Sequence, residues 1–225
     1  MLTRLQPFTI RAATVPRSGY DSPMRVAIVG GPGVGKSTLV RQLGDLYHHG
    51  SYGEGEEGVW DPRVLQDIEA GRNPVGVTAY FAAVYDANYR DAAEHDRPDR
   101  VIFFEGARIT LEAHMAEYPS EYHEQLRRVA AHGSRWNPDR IIVLTSSTGT
   151  IEQNIRRRRR PNEETERLIE RFRLIDAAFR RLAPAYPNAV VIDRDGMEFH
   201  RRTSLLEIIG LARLPLFREI PYEQD

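Results

Sequence analysis

Gly30-Gly31-Pro32-Gly33-Val34-Gly35-Lys36-Ser37, followed by Thr38, has the spacing of a glycine, four residues, Gly-Lys and a hydroxyl residue. It lies between the apolar run Val26–Val29 and a predicted helix over Ser37–Leu46, so strand, tight loop and helix must follow one another directly. Glycines let backbone N–H groups turn inward around phosphate oxygens without a Cβ clash, and the helix N-terminus adds partial positive charge. In such a loop Lys36 is expected to bridge the β and γ phosphates of ATP, and the Ser37 hydroxyl to ligate Mg²⁺. A chance glycine turn is the bland alternative, and the flanking strand and helix weigh against it.

Composition sharpens this at one position. Of the 31 Lys and Arg residues, Lys36 is the single lysine. Chemistry that needs a compact ammonium rather than a planar guanidinium fork would explain the exception, and chance survival of one lysine is the alternative. The formal net charge of −1 leaves no general field for drawing in polyanions, so nucleic-acid binding would need a local patch. With no cysteine there is neither a disulfide frame nor thiolate chemistry. No run of eighteen apolar residues occurs, and Arg4, Arg11 and Arg17 interrupt the start of the chain, so a soluble cytoplasmic protein is expected.

Residues 1–22 read as an N-terminal extension with one short strand at Phe8–Ala12, and residues 23–225 as one P-loop kinase domain. Four β-type runs recur at Val26–Val29, Val101–Phe104, Ile141–Leu144 and Ala189–Ile192. Helical segments separate them. Between Glu163 and Ala183, Leu168, Phe172, Ile175, Phe179 and Leu182 recur at three and four residues and make one apolar stripe. Asp61-Pro62 and Asn73-Pro74 predict helix starts, and Thr150 with Gln153 and Ser204 with Glu207 have capping-box spacing. Strands alternating with helices predict an α/β three-layer P-loop kinase fold: a parallel sheet, helices on both faces and a small Arg-rich lid at about 156–164.

A phosphate loop needs an acid at the end of a neighbouring strand to reach the metal or its waters. Glu105, closing Val101–Phe104, is that candidate. The run Arg156–Arg160, followed by Pro161, is expected to close over transferring phosphates. A solvated helix end or contact with a nucleic-acid backbone are the competing explanations. A GTP switch would need an Asn-Lys-x-Asp motif, which a chain with one lysine in the loop cannot contain. No segment offers the additional subdomain of a motor or remodelling ATPase.

From about Arg25 to Ala212 the chain resembles the deoxynucleoside kinase family, within the wider thymidylate-kinase-like group. The resemblance rests on the loop from Gly30 to Thr38, on Pro138–Leu144, and on Arg158-x-Arg160-Pro161 with Glu163-Glu164. It implies ATP and Mg²⁺ as cofactors, a deoxynucleoside as acceptor, and Arg158 and Arg160 on the transferring charge. A homodimer is compatible with it. Glu57-Gly58-Val59-Trp60 is similar to the segment that supplies the family's general base, lacking its proline. Glu57 is thus the base candidate, with Glu56 and Asp61 nearby in the chain.

Two positions depart from the family. Its Glu-Arg-Ser is Glu105-Gly106-Ala107 here, so the phosphate-facing arginine is missing unless Arg108 replaces it. Its base-reading glutamine is Thr78, which cannot make a two-point amide contact with a base. Trp60, Tyr80, Phe81 and Tyr85 are candidates for stacking on a base, or for the core, which is the commoner fate of aromatics at helical spacing. Asp193-x-Asp195 is expected to form a turn rather than border an adenine pocket. A nucleoside monophosphate or a hydroxymethylated base in DNA are alternative acceptors, and a regulatory nucleotide-binding module is the alternative of another class. His48-His49 and the other histidines lack zinc-ligand spacing.

Overall fold

The computed structural model describes residues 23–48, 50–54, 61–94, 100–132, 137–158 and 165–215. The four apolar runs form β1 (Met24–Gly30), β3 (Val101–Glu105), β4 (Arg140–Thr145) and β5 (Ala189–Asp193). A fifth strand, β2 (Ser51–Tyr52), is too short to show a sequence period. The sheet order is β2-β3-β1-β4-β5, with every neighbouring pair parallel. Parallel pairs need crossovers, and helices supply them: α1 (Lys36–Tyr47), α2 (Pro62–Ala70), α3 (Pro74–Glu94), α4 (Arg108–His114), α5 (His123–His132), α6 (Thr148–Arg158), α7 (Thr165–Leu182) and α8 (Arg202–Ala212). Among the described residues no helix is long and apolar enough to cross a membrane.

Strand alternation sorts the core into layers. Val26 and Ile28 of β1 and Ile142 and Leu144 of β4 pack with Leu39 and Leu43 of α1 and Ile208 of α8. Their neighbours Ala27, Val29, Ile141 and Val143 face the other way, against Ile109 of α4 and Ile175 and Phe179 of α7. Ile102 and Phe104 of β3 complete a third cluster with Tyr85 and Tyr89 of α3 and Leu126 of α5. The predicted three layers are therefore present, and Phe172, Ile175 and Phe179 of the predicted stripe are buried.

Two of the four helix starts were placed correctly. Asp61 Oδ1 accepts from the Arg63 N–H at 2.9 Å and Asn73 Oδ1 from the Gly76 N–H at 3.2 Å. The expected boxes at Thr150 and Ser204 are corrected. Ser147 Oγ caps α6 by accepting from the Thr150 N–H at 3.3 Å, so Thr150 lies inside the helix. Ser204 also lies inside its helix, where its Oγ accepts from the Glu198 N–H at 3.2 Å. Both boxes matched a spacing whose hydroxyls the tertiary structure uses otherwise.

A buried ion pair joins α7 to the turn after α4. Glu117, 9% exposed, accepts from Arg171 Nε and contacts His114 Nδ1 at 2.5 Å. Burial alone would raise its pKa, but the charges and hydrogen bonds of His114 and Arg171 outweigh it and hold the carboxyl at about 2. A depressed folded pKa contributes stability above the unfolded value of 4.5 that is lost as pH falls through about 2. Glu117→Gln is expected to cost roughly 2–3 kcal/mol at neutral pH. In urea titrations its stability should be flatter than the parent's between those two pH values; an equally steep acid loss would place the titration elsewhere.

Candidate active site

All five strands point their carboxyl ends the same way, and β1 sits where the chain switches from building the β3 side to building the β4 side. Crevices at such switch points hold ligands in open parallel sheets. The loop Gly30–Gly35 leaves the sheet there. At Gly30, φ is 152° and an added Cβ would lie 2.5 Å from the Leu144 carbonyl oxygen, so only glycine lets the loop begin this close to β4.

The loop is held from outside. Asn154 Nδ2 of α6 donates to the Gly33 carbonyl at 3.1 Å, and Arg194 Nη1, after β5, donates to the Val34 carbonyl at 3.2 Å. In a planar trans peptide the N–H opposes the C=O, so anchoring these two carbonyls turns the Val34 and Gly35 N–H groups the other way. Arg194 is itself fixed by donating to the Met197 carbonyl at 2.9 Å, with its Cζ 4.7 Å from the centre of the Phe199 ring. Phe172, expected only as part of the apolar stripe, packs its ring on Gly31, whereas Asn154, Arg194 and Phe199 were not anticipated from the sequence. They lie more than a hundred residues from the loop and belong to no motif.

Lys36 and Ser37 open α1 and meet Glu105 at the end of β3. Ser37 Oγ donates to Glu105 Oε1 at 2.9 Å, and Lys36 Nζ lies 3.8 Å from the same oxygen while donating to the Gly31 carbonyl at 3.4 Å. The expected trio of Lys36, Ser37 and Glu105 is thus brought together across 68 residues. Glu105 is 6% exposed. Burial raises its pKa first and the nearby Glu54 charge second, against Lys36, the Ser37 hydroxyl and the Glu54 backbone N–H. Two oxygen donors around an under-compensated carboxylate suit a hard divalent cation, which characteristically takes one or two carboxylates together with phosphate oxygens.

Glu54 is the acid the sequence reading missed. It follows β2, its backbone N–H donates to Glu105, and its Oε1 accepts from the Tyr85 hydroxyl at 2.5 Å. Tyr52, two residues earlier, was the only available signal: its ring stacks on Phe104 at 5.3 Å and ties β2 to the sheet. Glu57, Glu56 and Trp60, the Arg158 side chain, Arg159, Arg160 and the rest of the expected lid through Glu164 lie outside the described residues. So do His49 and the strand expected at Phe8–Ala12.

Other expectations resolve individually. Arg108 Nε donates to Glu112 at 2.7 Å, which commits it along α4. Arg156, the first of the arginine run, is a solvated partner of Glu152. Tyr85 is in the core at 1% exposure, and Thr78 is also buried. The Asp195 N–H donates to Asp193 Oδ1 at 3.0 Å, the expected turn, while Asp195 also accepts from Ser146 Oγ and from the Ser147 N–H.

Fold and loop together define a P-loop domain with a three-layer α/β fold. The chain belongs to the AAA domain family AAA_28, whose model matches residues 25–198. Deoxyadenosine kinase from M. mycoides is similar in structure with a TM-score of 0.64 at 16% identity, over 83% of this chain and 97% of that one. Thymidylate kinase from Candida albicans gives 0.62 at 15%, over 85% and 93%. The NadR protein in complex with NR gives 0.61 at 20%, over 89% of this chain but 54% of that one. No curated protein matches the chain in sequence.

Proposed function

We propose that this protein is an ATP- and Mg²⁺-dependent kinase that phosphorylates a hydroxyl of a nucleoside-like molecule, with a deoxynucleoside as the first candidate. The observation that carries the proposal is the convergence of Lys36, Ser37 and Glu105 beside the glycine loop. The likeness in fold to a deoxyadenosine kinase, a thymidylate kinase and NadR supports the acceptor class.

The loop N–H groups from Gly30 to Thr38 and the Lys36 ammonium hold the donor phosphates. Ser37 and Glu105 hold Mg²⁺, which when bound neutralises phosphate charge. Glu54 receives the acceptor hydroxyl proton, a role first expected of Glu57, three residues on; comparing Glu54→Gln with Glu57→Gln separates the two. Arg158 and Arg160 supply cations from the lid at about 156–164, and closure excludes water. In the cytoplasm the substrate would be a free small molecule.

Mass-resolved transfer from ATP with Mg²⁺ to pooled deoxynucleosides, their monophosphates and hydroxymethylated DNA tests the proposal. One phosphorylated nucleoside is the expected result. A phosphorylated monophosphate or DNA base would keep the chemistry and change the acceptor. ATP binding without any transfer would favour the regulatory module, for which Gly106 in place of the family arginine is the motivating observation.

A further inference from the structure

Gly106 holds the place where the resemblance calls for a phosphate-facing arginine, and the structure shows why no side chain stands there. A Cβ on Gly106 would lie 2.3 Å from Tyr85 Cζ and 2.6 Å from its hydroxyl oxygen, and φ at Gly106 is 93°. The volume is occupied by the tyrosine ring. We propose that Tyr85 is the positioning residue of the acceptor side, holding the Glu54 carboxylate beside Glu105 from the space a side chain at 106 would need. This assignment rests on the kinase proposal above.

Three observations converge on it. Tyr85, Asn88 and Tyr89 lie at helical spacing on one face of α3 and hold the segment after β2 against β3: Tyr85 bonds Glu54 at 2.5 Å, Asn88 Nδ2 donates to the Gly53 carbonyl at 3.0 Å, and Tyr89 stacks on Phe104 of β3 at 4.1 Å. Next to Gly106, the Ala107 N–H donates to Thr110 Oγ1 at 3.2 Å, and the Tyr85 hydroxyl, in the space a side chain at 106 would need, donates to Glu54 at 2.5 Å. Finally, a side chain 1% exposed in an aromatic cluster has no packing need for a hydroxyl, yet a buried hydroxyl must find a partner. The partner is Glu54, the carboxylate just after β2 whose charge acts on Glu105.

The test uses the full chain with ATP, Mg²⁺ and a pool of the four deoxynucleosides and their monophosphates. Tyr85→Phe keeps the ring and should lower kcat by about 10- to 100-fold, the cost of about 1 Å of misplacement, with KM for ATP within about twofold. Full turnover in Tyr85→Phe, or a matching loss of ATP affinity and Tm, would overturn the positioning role.

A parent chain that phosphorylates nothing in the pool would remove the kinase proposal and this assignment with it. The space-filling half has its own readout. Gly106→Ala should lower Tm by about 5 °C more in the parent than in a Tyr85→Leu background, where only the φ strain remains. Equal losses would mean that Tyr85 does not exclude a side chain at 106.

Discussion

Lys36→Ala is expected to reduce phosphoryl transfer from ATP by about a thousandfold, with Tm within about 3 °C of the parent. The side chain makes one long hydrogen bond, to the Gly31 carbonyl at 3.4 Å, and one approach to Glu105 at 3.8 Å, so little native stability rests on it. Its removal is costly only when phosphate charge arrives. The loop N–H groups still bind, but the ammonium that follows the γ-phosphoryl group as charge moves to the leaving oxygen is gone. Lys36→Arg should be almost as inactive, because a planar fork cannot take the place of a point charge against a glycine loop. Rapid-quench turnover and the affinity for a fluorescent ATP analogue separate chemistry from binding. Near-parental turnover in Lys36→Ala would mean that the loop is not a transfer site.

Glu105→Gln should lose transfer by at least about a hundredfold and yet be the more stable protein without Mg²⁺ at neutral pH. Burial and the Glu54 charge raise the Glu105 pKa above its ordinary 4.5 despite Lys36 and Ser37. A raised folded pKa gives a contribution fully present below the unfolded value and lost as pH rises through the folded one. Glutamine carries no charge to desolvate and can still accept from Ser37. The Tm difference between variant and parent in EDTA should therefore open as pH rises from about 4.5, and Mg²⁺ with ATP should raise the parent's Tm but not the variant's. A variant less stable than its parent at every pH would show that Glu105 is held as a structural acceptor.

Much of the architecture was legible because it is periodic. β1, β3 and β4 are buried on both faces and read as unbroken apolar runs, β5 reads the same way although it is an edge strand with Val191 exposed, and α7 carried its stripe through Phe172, Ile175 and Phe179. β2, two residues long, has no period to detect. The capping boxes failed because α6 starts one turn earlier, capped by Ser147 rather than Thr150, and because Ser204 accepts from the Glu198 N–H before its helix.

Sequence by itself determined the donor half of the site. A glycine loop, its lysine and its hydroxyl are contiguous, since backbone N–H groups can surround a phosphate only when they follow one another along the chain. It also marked Glu105, because a strand end beside the loop is where the proposed metal-facing acid would stand. Only the tertiary structure decided the acceptor half. There Glu54, Tyr85 and Gly106 come from the segment after β2, α3 and the turn after β3, and which acid meets Glu105 depends on how α3 packs against β3. The same holds for Arg194 and Asn154, whose contacts with loop carbonyls exist only once α6 and the turn after β5 have docked. Side chains brought together by packing have no common spacing in the chain, and for that reason their pairing cannot be read before the chain is folded.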